Sequence, residues 1–156
     1  MREVAISIPV KAPRGFALAF LNTYVQDRAT DSGEPRFRLR VPLKHFAGGA
    51  RFERDVAMHV DWIPKEPGEA TRLSISWTPI GSRLFPGFDG TIEAFPDAAE
   101  CCTLTMTGRH HAPPGVAGNI FAAVMGDRIA RASMDDLLRF FRGAIEADYL
   151  ERISSS

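Results

Sequence analysis

The chain has 156 residues, 45% hydrophobic and 24% charged, with 19 basic against 19 acidic side chains and no formal net charge. That mix suits one globular domain with a sizeable core, expected over 1–153 with 154–156 as a tail. It argues against a nucleic-acid binder, which usually carries a basic excess, and no apolar run approaches the ~18 residues of a membrane span. The start, Met1-Arg2-Glu3, lacks the apolar core of a signal peptide, so the cytoplasm is the expected location.

Val4, Ile6, Ile8 and Val10 alternate with polar or small residues and predict a first strand. Pro13 suits the first turn of a helix over about 13–27, where Phe16, Phe20 and Tyr24 recur at steps of four. Asp31 to Pro35 reads as a loop. Phe37, Leu39, Val41 and Leu43 then oppose Arg36, Arg38, Arg40 and Lys44 on the next strand, and Gly48-Gly49 turns it.

The following strand has an inward row of Phe52, Val56, Met58, Val60 and Trp62, and an outward row of Glu53, Asp55, His59 and Asp61. A basic stripe thus faces an acidic one across the predicted hairpin, worth about 0.2–1 kcal/mol per pair. Leu73, Ile75 and Trp77 mark another strand, and Phe88, Gly90, Ile92 and Ala94 the next, turned at Pro96–Ala99. Between those two strands, Pro79 to Gly87 forms a connection carrying Leu84 and Phe85. Cys102, Leu104 and Met106 alternate with threonines in the last strand.

Residues 119–153 predict one long helix. Ala130, Met134, Leu137, Leu138, Phe141, Ala144, Ile145 and Tyr149 share a face, opposite a stripe of Arg128, Arg131, Asp135, Arg139, Arg142 and Glu146. Phe121, Val124 and Met125 fall nearly half a turn away from that face. Either Gly126-Asp127 between the two segments kinks or restarts the helix, with Asp127 as its cap, or the first segment packs on a loop such as Leu84-Phe85. An antiparallel sheet with one apolar face, closed by one long helix, follows from the need to bury that face.

This order of elements resembles the START-like, or SRPBCC, helix-grip superfamily, which includes polyketide cyclase/dehydrase-like and birch-pollen-allergen-type proteins. The resemblance rests on Val10-Lys11-Ala12-Pro13 leading from strand to helix, on the spaced meander, and on His110-His111-Ala112-Pro113-Pro114-Gly115 before the last helix. It implies an α+β fold of about six or seven strands curved around the C-terminal helix. It also implies a cavity between them for a lipid-like or polycyclic molecule. It supplies no universal catalytic residue.

A non-catalytic binder or carrier is therefore the expected function. The alternatives are an enzyme of cyclase or dehydratase type, and an adaptor or membrane-peripheral protein. No metal or cofactor is expected, since His110 and His111 diverge on a strand and neither H-x-x-x-H nor C-x-x-C spacing occurs. Cys101 and Cys102 also point apart, with Cys102 expected inside as a small apolar residue. The ligand is expected against Tyr24, Met58, Trp77 and Phe141, with Phe85, Phe121 and Met125 gathered as a gate. Arg54 breaks the inward row of its strand. Either a β-bulge turns it outward, or it needs an anion: Asp148, in phase with the buried helix face, or an acidic ligand. Tyr24, Tyr149, Asp148 and His45 are the inward candidates for acid–base work.

Overall fold

A computed structural model of the chain describes residues 3–27, 36–42, 51–64, 67, 71–80, 87–111 and 120–155; for 36–42, 51–55, 79 and 120–130 it describes the backbone alone. Strand β1 (Glu3–Val10) leads into helix α1 (Arg14–Gln26). Strands β2 (Arg36–Pro42), β3 (Arg51–Trp62), β4 (Arg72–Pro79), β5 (Gly87–Ala98) and β6 (Cys101–His111) follow, and helix α2 (Ile120–Ser154) comes last. The described strands form one sheet of six in the order β1-β6-β5-β4-β3-β2, antiparallel throughout. This is the expected α+β helix-grip architecture.

Because β1 pairs with β6, the sheet's edges are β1 and β2. Among the described residues α2 lies closest to those two edges and to β6, while α1 lies chiefly over β3 and β5. The sheet therefore curves around α2, with its centre bowed away from the helix.

Alternation places the core. Val4, Ile8 and Val10 from β1, Met58 and Val60 from β3, and Leu73, Ile75 and Trp77 from β4 are buried. Phe88, Ile92 and Ala94 from β5 and Cys102, Leu104 and Met106 from β6 complete the concave face. Helix α2 meets it with Met134, Leu137, Leu138, Phe141 and Ile145, all buried as expected. Each such side chain contributes about 1.5–3 kcal/mol when fully withdrawn from water.

Several expectations need correction. Trp62, read as inward, is 39% exposed at the last residue of β3. The α1 stripe of Phe16, Phe20 and Tyr24 is only half-buried; Ala17, Leu18, Leu21 and Val25 make the core contact. Pro13 caps α1 from outside its first turn, with extended backbone (φ −63°, ψ 148°). Strand β5 continues past Pro96 to Ala98, through a register irregularity between them.

Helix α2 runs without a break through Gly126 and Asp127, so the expected restart with Asp127 as its cap does not occur. A glycine costs a helix only about 1 kcal/mol, less than the packing of the turns that follow. Ala144 and Tyr149 are half-buried rather than buried.

The β2–β3 register sets Arg38 opposite Asp55 and Arg40 opposite Glu53, the predicted facing of basic and acidic positions. The pairing is continuous from Arg51 to Ala57, so no bulge displaces Arg54 in it. Arg54 keeps the backbone phase of Val56 and Met58, opposite Leu39.

Candidate functional site

The antiparallel register turns the concave face into cross-strand rows. One row runs Val60, Ile75, Gly90, Gly108, Val4 across five strands. The next row toward the ends of β4 and β6 runs Met58, Trp77, Phe88, His110. The two glycines make room for the second row. A Cβ on Gly108 would stand 2.3 Å from the Asp89 carbonyl oxygen and 2.5 Å from the Phe88 ring; one on Gly90 would stand 2.1 Å from the Thr107 carbonyl oxygen. With no side chains there, the Phe88 ring lies down over the glycine pair. Trp77 then stacks on Phe88, centroids 4.4 Å apart and planes 17° from parallel.

Trp77 is 3% exposed, and its indole nitrogen is buried with no hydrogen-bond partner among the described residues. Leaving such a donor unpaired costs about 1–3 kcal/mol. His110 occupies the inner phase of β6 beside Phe88, with its Nδ1 buried. His111 faces outward and pairs with Asp89 at 2.6 Å, so the two histidines diverge as expected.

The opposite end is tied shut. The Lys11 backbone N–H donates to Glu146 on α2 at 2.8 Å. The Tyr149 hydroxyl donates to Glu100 in the β5–β6 turn at 3.5 Å. Desolvation first, then the charge and hydrogen bond of Glu100, hold the phenol above its ordinary value of 10.0. The two helices lie antiparallel and share an aromatic strip: Phe16 meets Tyr149 at 5.1 Å and Tyr24 meets Phe140 at 6.2 Å. Arg152 sits over the Phe16 ring at 5.6 Å while bonding Asp148 at 2.9 Å.

Solved structures share this fold. A START superfamily protein from Mycobacterium smegmatis superposes with TM-score 0.50 at 13% identity, over 93% of this chain and 97% of that one. A conserved protein from Geobacillus kaustophilus gives TM-score 0.56 at 15% identity, over 95% and 97%. The Zhui aromatase/cyclase from Streptomyces sp. R1128 gives 0.52 at 16% identity, over 97% and 95%. The fold is START-like. No family model and no curated protein sequence matches the chain.

The START-like frame places the expected site residues unevenly. It brings Met58 and Trp77 together as register partners, and buries Phe141 in the same core. Tyr24 lies at the rim, half-buried and stacked on Phe20 at 5.2 Å. Phe85 and His45 fall outside the described residues, as do the side chains of Arg54, Phe121 and Met125. Asp148, expected in phase with the buried face, is instead partly exposed and paired with Arg152 one turn further along α2. Tyr149 likewise points to the Glu100 turn.

Three contributors went unread in the sequence as site residues: Phe88, His110 and the glycine pair. Carrying the alternation of Cys102, Leu104 and Met106 two steps further reaches Gly108 and His110. Cys102 is buried, as expected. Burial, then the charge of Asp97, then Cys101 push its thiol above 9.0, away from reactivity.

An open depression of about 400 Å³ lies on the outer face of the sheet, lined by Glu3, Arg72, Asp89, Glu93 and Arg109 among others. Its charges answer one another: Arg72 pairs with Glu93 at 3.8 Å, and Arg109 stands in register between Glu3 and Asp89. Exposed pairs of this kind are ordinary solvated surface. Among the described residues no helix is long and apolar enough to cross a membrane, and no three His, Cys, Asp or Glu side chains converge as a metal needs.

Proposed function

We propose that the chain binds or carries a lipid-like or polycyclic apolar molecule between the concave face of its sheet and α2, without transforming it. The observation that supports this reading is the row of Met58, Trp77 and Phe88, large and buried, on the part of the sheet that bows away from α2. Apolar walls with a few placed polar atoms are what small-molecule sites are made of. Phe141 is the natural contribution of α2, and Arg54, in phase with Met58 along β3, the natural grip for an acidic ligand. Fold alone does not choose among functions, so the row carries the reading rather than the likeness to other proteins.

A second reading, an enzyme of cyclase or dehydratase type, draws on one observation. His110 stands in the same row, where an imidazole can move a proton. The aromatase/cyclase among the similar structures belongs with this alternative.

Native mass spectrometry of the chain purified from its own host separates the two. A carrier is expected to arrive with an apolar molecule that survives prolonged incubation unchanged. Slow conversion of that molecule, abolished in His110→Phe, would favour the enzyme. Protein that arrives empty and takes up neither fatty acids nor polycyclic aromatics would refute binding altogether.

A further inference from the structure

We infer that Trp77 determines specificity: its indole N–H donates a hydrogen bond to a carbonyl or hydroxyl oxygen of the ligand. This rests on the binding reading above and narrows it. The ligand class becomes oxygenated aromatic molecules, with plain hydrocarbons disfavoured.

Among the described residues the Trp77 N–H has no acceptor to donate to. An indole offers one N–H and no acceptor, and when buried it usually finds a partner. The Trp77 nitrogen is buried and has none among the described residues. Its ring neighbour cannot serve. Phe88 lies 17° from parallel at 4.4 Å, so the N–H, which lies in the indole plane, runs alongside the Phe88 ring instead of into its face. The other register partner, Met58, carries only a thioether, a weak acceptor, and does not accept the bond. Among the described residues, that leaves the place of an acceptor in the plane of the indole open to a ligand. A flat ligand carrying an oxygen at its rim fits: its ring lies with the aromatic row while its oxygen meets the N–H. Phe88 also keeps the indole from tilting, since it is seated over Gly90 and Gly108. The donor is thus fixed before any ligand arrives, which lowers the cost of binding.

The test uses the full chain with ¹⁵N-labelled tryptophan and two probes, 2-acetylnaphthalene and 2-isopropenylnaphthalene, which differ by oxygen in place of a methylene. Trp62, 39% exposed, is the internal reference. The Trp77 indole proton, assigned by its loss in Trp77→Phe, is expected to move downfield with the ketone and much less with the alkene. The preference for ketone over alkene is expected to fall by about three- to tenfold in Trp77→Phe. If both probes bind and neither the proton nor the preference responds, the inference fails while the binding reading stands. If neither probe binds, both fail. If Trp77→Phe does not fold, the proton shift in the native chain decides alone. An indole proton already downfield and protected from exchange in the free protein would show an internal partner and overturn the inference.

Discussion

The two ends of this half-barrel solve opposite problems. At one end α2 is fastened by Glu146 to the Lys11 backbone and by Tyr149 to Glu100, and the helices interlock through Phe16, Tyr24, Phe140 and Tyr149. At the other, the row of Met58, Trp77, Phe88 and His110 holds buried polar atoms among large apolar surfaces. The first end uses its polar groups between elements, where they fix the helix. The second leaves an indole donor unpaired among the described residues, an arrangement that costs stability unless something else accepts from it. A fold that keeps its helix anchored at one end can leave the other for a guest.

The largest expected effect tests the anchor. Phe141 is fully buried, so Phe141→Ala should cost about 3–5 kcal/mol in chemical denaturation. Arg139→Ala, an exposed residue whose partner is Asp135 on the same helix at 2.9 Å, should cost no more than about 0.5 kcal/mol. A small loss at Phe141 would mean that α2 is held by its tethers and not by its packed face.

Next in size is the crease beneath the aromatic row. Gly108→Ala forces a methyl against backbone at Asp89 and Gly90 and against the Phe88 ring, and should cost about 1–3 kcal/mol. It should also change the near-ultraviolet circular dichroism of the Trp77–Phe88 stack. Gly143→Ala on α2 meets nothing within 4 Å and should stabilise by about 0.5–1 kcal/mol. Equal responses at the two glycines would remove the proposed reason for the seating of Phe88.

Legibility followed the same division. Periods of 2 and 3.6 are properties of the backbone, so Met58, Trp77, Leu137 and Phe141 could be placed inward from spacing alone. Spacing says which way a residue points, not whether anything covers it there. Trp62 and Asp148 keep the inward phase yet stay partly exposed, Trp62 at the last residue of β3 and Asp148 paired with Arg152. The glycine pair was invisible for another reason. Gly90 and Gly108 meet only once β5 and β6 are in register, a non-local fact. Nor does any sequence pattern report an unpaired indole N–H, since pairing depends on every neighbour at once.

The smallest expected effect lies at the tether and depends on pH. Tyr149 donates its phenol proton to Glu100, and its pKa in the fold is raised above 10.0. The fold therefore holds that proton more tightly than the unfolded chain does. The resulting contribution is complete below the unfolded value and declines as pH rises from about 10 through the folded pKa. Tyr149→Phe has no such proton. Denaturation of both proteins in parallel between pH 8 and pH 11 should show native stability falling more steeply than that of the variant at the alkaline end. Cys102, raised above 9.0 by burial, titrates in both and cancels from the comparison. Parallel curves across the whole range would mean that the phenol is not bonded to Glu100 in solution, and that Glu146 on Lys11 and the aromatic strip hold this end of α2 without it.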